Sequence, residues 1–419
     1  MTTLPTRTYW LQRWTALVLT GVLAGLGGML LALLLHEIQH LAYGYSRDSL
    51  TGPQTFLQGV TDASARRRFI VILSAGIVAG CGWWLLGRYG QKRVSISAAV
   101  KDPGKPMPGI TTLIHALLQI ITVAMGSPLG REVAPREVGS LFAGGVARYL
   151  RLTATDIQLM IACGAGAGLA AVYNVPLAGA VFTLEVLLVN FSWDTAIAAL
   201  VTSALAAWIA TLGLGDEHQY RFTTELAATS LVFWGALSGP VMGAAAFLFR
   251  RLTQRARSKV RSNWQMPVFS LVAFAALGAL SIWFPQLPGN GKGPTQLTLD
   301  GSVTLQLALA IVCIKIFVIW AVLRGGAEGG LLTPGLTIGA LLSSLLFIVL
   351  GGLFPGSDMA GFALTGAAGF LSASMQMPVT AITLMMEFTR MDHSFLVPLA
   401  LCVTGAYMTS RQLERWQKG

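Results

Sequence analysis

Long apolar runs interrupted by glycine and proline set the pattern of this chain. Trp14 to Leu35 is an uncharged run long enough to cross a bilayer core of about 30 Å. Further apolar stretches lie near 69–87, 110–125, 155–190, 195–213, 228–249, 267–284, 302–323, 331–354, 360–388 and 394–410. Several are short or glycine-rich and read as segments that tilt, re-enter or stop part-way. Lipid cannot satisfy exposed backbone, so this density of apolar runs predicts an all-α polytopic membrane protein.

Two stretches do not fit ordinary membrane helices: Gly126-Ser127-Pro128-Leu129-Gly130-Arg131-Glu132-Val133-Ala134-Pro135 and Gly325-Gly326-Ala327-Glu328-Gly329-Gly330-Leu331-Leu332-Thr333-Pro334. Each follows an apolar run, is dense in glycine and proline, and contains one glutamate. Such residues interrupt helices and free backbone N–H groups. At membrane depth, broken backbone survives only where protein buries it or it lines a cavity. Two broken helices in corresponding halves mark a substrate site near the midplane. Half-helix N-termini carry partial positive charge, so the substrate they suit is an anion.

Composition agrees. Hydrophobic residues make up 54% and charged residues 11%, against about 25% charged in soluble domains. The formal charge of +11 raises nucleic acid as a partner, but its placement excludes that reading. Arg250, Arg251, Arg255, Arg257, Lys259 and Arg261 cluster between two apolar runs with no acid among them. Arg7 and Arg13 precede the first run, and Arg411, Arg415 and Lys418 follow the last. Basic loops stay inside, so both termini and the 250–261 loop are expected in the cytoplasm, with the Asp216-Glu217 turn outside. The first run is too long for a signal-peptide core and lacks an evident small-residue cleavage site. Cys81, Cys163, Cys313 and Cys402 all lie in apolar segments and read as buried packing residues, not as a disulfide framework.

The chain also repeats itself. Gly164-Ala165-Gly166-Ala167-Gly168-Leu169-Ala170-Ala171-Val172-Tyr173-Asn174-Val175-Pro176 parallels Gly366-Ala367-Ala368-Gly369-Phe370-Leu371-Ser372-Ala373-Ser374-Met375-Gln376-Met377-Pro378. The prolines are offset by 378 − 176 = 202, as are Glu185 and Glu387, while Pro135 and Pro334 differ by 334 − 135 = 199. A slip of three residues accommodates both glutamate loops. Residues 1–215 and 216–419 are therefore expected to be duplicated transmembrane repeats. With an odd number of crossings in each half the repeats are inverted, and both broken loops reach one central cavity.

With these residues in view, the chain resembles the CLC anion channels and transporters over nearly its whole length. That family carries the signatures Gly-Ser-Gly-Ile-Pro, Gly-Arg-Glu-Gly-Pro and Gly-x-Phe-x-Pro. Gly130-Arg131-Glu132-Val133-Ala134-Pro135 stands where the second belongs, and Gly330-Leu331-Leu332-Thr333-Pro334 where the third belongs. Asn174-Val175-Pro176-Leu177-Ala178-Gly179 matches the helix that follows the second. The resemblance implies a homodimer with one pore per subunit between inverted halves, and no cytoplasmic regulatory domain after residue 419. The departures narrow it. The first signature is replaced by Gly104-Lys105-Pro106-Met107-Pro108, which lacks the chloride-binding hydroxyl. Val133-Ala134 stands in place of one glycine in the second motif. Val186 occupies the position of the exchangers' internal glutamate (176 + 10 = 186), and Glu328 a position usually proline. This combination resembles the bacterial fluoride/proton antiporters, which implies fluoride export across the plasma membrane, coupled to protons. A chloride/proton exchanger or a passive anion channel is the alternative within the family.

Each position then has a chemical expectation. An ionised Glu132 can itself occupy an anion site among freed amides, and protonation releases it; one side chain alternately excludes anions and carries protons. Ionisable residues in the membrane are costly and therefore read as functional. An ion pair with Arg131 or Arg136 is the bland alternative. Glu328 is assigned a second gating and proton-transfer role in place of the missing internal glutamate, against simple capping of the helix near Leu331. Met107 is expected to line the pore and Thr333 to offer a hydroxyl. Backbone N–H groups of Arg131, Glu132, Val133, Leu331 and Leu332 supply further donors. At the inner gate, where relatives place a tyrosine, the nearest equivalent is His393.

One motif points to another class of protein. His36-Glu37-Ile38-Gln39-His40 matches the H-E-x-x-H pattern of zinc proteases, with both histidines on one helical face. The remaining histidines, His115, His218 and His393, each lie in a different context and supply no third ligand. Neither a metal nor a cofactor is expected.

Overall fold

Apolar residues fill runs of helical length, and proline or glycine ends most of them, so the backbone resolves into helices of unequal length. The computed structural model describes residues 7–44, 54–216 and 218–418. In chain order the helices are α1 (Arg7–Tyr43), α2 (Phe56–Asp62), α3 (Ala65–Tyr89), α4 (Ile96–Lys101), α5 (Gly109–Ala124), α6 (Val133–Tyr149), α7 (Ala154–Tyr173), α8 (Pro176–Phe182) and α9 (Trp193–Leu214). They continue as α10 (Thr229–Ser258), α11 (Gln265–Trp283), α12 (Lys292–Leu299), α13 (Leu305–Arg324), α14 (Leu332–Leu350), α15 (Met359–Met375), α16 (Pro378–Thr389) and α17 (Leu396–Lys418). Among the described residues, eight helices are long and apolar enough to cross a membrane: α1, α3, α7, α9, α10, α11, α13 and α14. The protein is all-α and polytopic.

Two contact-defined units organise these helices. The first comprises residues 1–34, 86–120 and 132–217; the second comprises 35–85, 121–131 and 218–419. In the first, α7 packs against α6, α8 and α9, and glycine makes its close approach to α6 and α8 possible. Gly164 faces the Gly139 carbonyl, Gly166 the Gly179 carbonyl and Gly168 the Pro135 carbonyl. A Cβ at any of these positions would lie 2.2–2.4 Å from that oxygen. The glycine run that signals a repeat thus also sets how closely α7 approaches α6 and α8. In the second unit the core lies among α10, α14, α15 and α17, where Trp234 stacks on Phe362 at 4.2 Å between ring centroids.

The apolar stretches 155–190 and 360–388 each break in two. α7 ends on Asn174 in the left-handed region (φ 54°), and Pro176 opens α8. α15 ends on Gln376 (φ 57°), and Pro378 opens α16. Proline disfavours helical backbone in the residue before it, which explains both breaks. Beyond α8 the chain continues as a π-helical turn over Thr183–Leu188, which carries Glu185 and Val186.

Some of the charges are more than topological markers. Arg13 is buried and pairs with Asp156 at 3.1 Å and with Asp194. Arg250 pairs with Glu414. Asp216 accepts a hydrogen bond from Asn174 Nδ2 at 2.7 Å, whereas Glu217 lies outside the described residues. Cys163 and Cys402 are buried as expected, but Cys313 is exposed, because it falls on an outward face of α13.

Candidate functional site

The two broken loops meet within the second unit. Gly130 N–H donates to the Gly330 carbonyl at 2.8 Å, and Gly330 N–H returns the bond to Gly130 at 2.9 Å. This is an isolated antiparallel bridge joining residues two hundred positions apart in a helical protein. Glycine at both ends lets the backbones approach without side-chain interference. Lower in the first loop, Gly126 adopts φ 106°, and its carbonyl accepts from Gly289 N–H at 3.0 Å. Arg257 Nη2 donates to the Gly329 carbonyl at 2.8 Å. Backbone that would be unsatisfied in lipid is thereby paired inside protein.

A helix starts just beyond each half of the bridge. α6 begins at Val133 with Glu132 as its N-cap residue, and α14 begins at Leu332 with Leu331 in that place. Neither N-cap residue supplies a side-chain capping bond. By contrast, Thr153 caps α7 and Asp358 caps α15 through their side-chain oxygens. Both α6 and α14 carry proline at the third helical position, Pro135 and Pro334. Proline there is tolerated, because first-turn N–H groups have no intrahelical partner. Such helix starts attract anions.

Glu132 is fully buried, and its Oε2 accepts a hydrogen bond from the Tyr173 hydroxyl at 3.2 Å. Both residues belong to the first unit. Tyr173 is thus one neutral donor to this carboxylate. Arg136, the other residue weighed as an ion-pair partner, lies with its guanidinium 4.3 Å from the Phe182 ring centroid and is within electrostatic reach of both Glu132 and Glu137. Met107 is buried in the loop between α4 and α5. Arg131, Leu332 and Thr333 are also buried, while Val133, Leu331 and Glu328 are partly so. Glu328 lies in the short non-helical stretch before the bridge at Gly330.

His393 is exposed and opens a short 3-10 turn. With Phe222, Thr223, Thr224, Glu225, Arg390, Met391 and Asp392 it lines a surface depression of about 490 Å³. Asp392 caps that turn; the Ser394 backbone N–H, at 2.7 Å, holds its carboxyl below the usual carboxylate range. His36 and His40 lie one turn apart in α1, and no group of three or more metal-ligating side chains exists among the described residues.

With this geometry established, comparison with known proteins decides the family. The family model described as voltage gated chloride channel matches residues 74–411. The chain belongs to the CLC family. Its members are channels and transporters rather than enzymes, so this CLC chain is an anion-transporting membrane protein. It is 29% identical over 417 residues to a voltage-gated ClC-type chloride channel, ClcB, of Salmonella typhi, covering 94% of this chain and 95% of the relative. A ClcB of Citrobacter koseri is 29% identical over 375 residues, covering 86% and 88%. Among solved structures, a slow cyanobacterial Cl−/H+ antiporter superposes with a TM-score of 0.82 at 19% identity, over 98% of this chain and 96% of that one. A CLC-type fluoride/proton antiporter superposes with a TM-score of 0.70 at 18% identity, over 98% of both chains. These structures share the fold.

Two polar contacts at the broken loops escaped the sequence. Tyr173 was visible only as a repeat position opposite Met375, and its hydroxyl reaches Glu132 across 41 residues. Arg257 was one of a basic cluster, and nothing in the cluster singles it out for the Gly329 carbonyl. Both follow from helix packing and have no local motif.

Proposed function

We propose that this CLC chain exchanges a small halide for protons, with Glu132 as the moving gate. The observation that supports this most directly is the tie between Gly130 and Gly330, each followed within three residues by a helix start lacking a side-chain cap. The anion-binding set is Met107, Arg131, Val133, Leu331, Leu332 and Thr333, with backbone N–H groups as the main donors. Ionised, Glu132 competes with the halide for those donors; protonated, it withdraws and the halide enters. Tyr173 donates a neutral hydrogen bond to one end of the carboxylate, and a bond of that kind is weak enough to break during the exchange. Glu328 acts as a second gating carboxylate, and His393 stands as the inner-gate residue. The protein works as a homodimer in a bacterial plasma membrane, with both termini in the cytoplasm and residues 1–215 and 216–419 as inverted repeats.

Chloride is the first reading of the cargo, supported by two full-length relatives named chloride channels. Fluoride is the second, and specific residues favour it: a buried Met107 where the family hydroxyl belongs, and Glu328 in the second loop. Fluoride holds its water tightly and needs several short hydrogen bonds in exchange, which a methionine cannot supply alone. Purified protein in liposomes, assayed for chloride and fluoride efflux in parallel, separates the two. Replacing residues 104–108 with the serine-bearing family sequence should raise chloride flux relative to fluoride about tenfold, as expected for one added charge-assisted hydrogen bond of about 1.5 kcal/mol. An unchanged ratio would assign selectivity to the helix-start amides and Thr333.

Glu328→Gln tests the second gate. The amide preserves the shape but no longer ionises, so halide flux should lose part of its pH dependence in a protein that remains folded. A pH profile identical to wild type would reduce Glu328 to a loop carboxylate.

A further inference from the structure

Val186 cannot titrate, yet a proton-coupled Glu132 needs a proton source on the side where relatives use an internal glutamate. The first unit contains a buried acid and base that no role above uses. His115 on α5 and Glu137 on α6 are 2% and 5% exposed. His115 Nδ1 lies 2.7 Å from Glu137 Oε2. Gln119, one turn beyond His115, is fully buried and donates to the same carboxylate oxygen at 3.1 Å. Arg93, in the loop before α4, reaches His115 Nε2 and lies 3.9 Å from Glu137 Oε1. The Arg93 side chain is 35% exposed, so the cluster runs from the surface to a buried carboxylate. Arg136 is a further charged neighbour of Glu137 on α6.

We propose that His115 and Glu137 form the relay that delivers protons to Glu132. The inference rests on the proton-coupled reading above. α6 carries both carboxylates: Glu132 at its N-cap and Glu137 five residues on, a rise of about 7.5 Å. Five residues also turn the helix about 140° past a full revolution, so the two carboxylates leave different faces of α6 and a water chain around the helix has to join them. α1 and α3 are each long and apolar enough to cross the membrane. With both crossing, the loop bearing Arg93 emerges on the side of the N-terminus, proposed above to be the cytoplasm. As Arg93 swings aside, water protonates Nε2 while the Nδ1 proton passes to Glu137. The carboxyl group then hands its proton through water to Glu132, and the imidazole returns to its starting tautomer by exchange with solvent. Each transfer breaks one N–H or O–H bond as it makes another, and the pair returns to a neutral imidazole beside an ionised carboxylate. A purely structural pair has no need of a titratable base with one nitrogen directed toward a half-exposed cation.

The test measures halide and proton flux in the same liposomes with full-length protein. His115→Gln and Glu137→Gln should each lower protons moved per halide about tenfold or more, while halide flux stays within about threefold of wild type. The double variant should be no worse than either single one. Glu137→Asp, which keeps the acid, should recover much of the coupling. If both glutamine variants keep the wild-type ratio while Glu132→Gln loses proton flux, the relay is wrong and the proton-coupled reading survives. If Glu137→Asp fails as fully as Glu137→Gln, with halide flux and thermal stability lost together, the pair is structural and the relay is also overturned. Wild-type halide flux without proton movement would overturn both readings at once.

Discussion

Glu132→Gln is expected to give a folded protein that passes halide but moves no protons. The substitution keeps the size and the hydrogen-bonding shape of the side chain, so the Tyr173 hydroxyl can still donate to the amide oxygen. The amide cannot exchange a proton with its surroundings, and it carries no charge to compete for an anion site. Removing a positioned proton carrier typically costs 10²–10⁴-fold, so proton flux should fall at least about a hundredfold. Halide flux, relieved of the competing carboxylate, should persist and lose the part of its pH dependence that Glu132 sets. The contrast separates two meanings of a buried glutamate. A structural ion-pair member, left with an unsatisfied cation by the substitution, would lower stability and both fluxes together. Coupled exchange at the wild-type rate would remove Glu132 from the mechanism.

Much of this site could be read from the chain because its unusual residues are local. Glycine and proline announce broken backbone wherever they interrupt an apolar run, so 126–135 and 325–334 stood out without any tertiary information. The breaks before Pro176 and Pro378 are not legible in this way, because the stretches 155–190 and 360–388 are continuously apolar and only the structure shows each proline ending the preceding helix. The CLC resemblance rests on these positions, and the family match confirms it. What stayed hidden depends on pairing across the chain. The Gly130–Gly330 bridge spans two hundred residues, and no periodicity encodes it. His115 drew notice only as a failed third zinc ligand. Its partner Glu137 lies on another helix, 22 residues away, and only packing brings a buried acid and base to 2.7 Å. The exposed Cys313 fails for a related reason. Apolar composition says that a segment is in the membrane, but not which of its faces meets protein.

The strongest structural prediction concerns Gly168. Its Cα faces the first turn of α6, where a Cβ would lie 2.2 Å from the Pro135 carbonyl oxygen and 2.6 Å from its carbon. Both obstacles are backbone atoms, so no side-chain rotation relieves the clash, and α6 must move away from α7. Overpacking of this kind costs about 1–3 kcal/mol, so Gly168→Ala should lower the thermal unfolding midpoint in detergent by several degrees. The position of the strain matters as much as its size. Pro135 is three residues beyond Glu132, while Tyr173 lies on α7 beyond Gly168. Separating the two helices lengthens the 3.2 Å contact between Tyr173 and Glu132 and disturbs the helix start proposed to receive the halide. Gly145, on the same helix α6, has open space around its Cα and provides the control. Gly145→Ala should keep full activity and gain slightly in stability, because alanine favours helix by up to about 1 kcal/mol over glycine. Gly168→Ala should therefore lose halide flux and stability together where Gly145→Ala loses neither. Equal behaviour of the two variants would mean that close α6–α7 packing does not hold Glu132 in place.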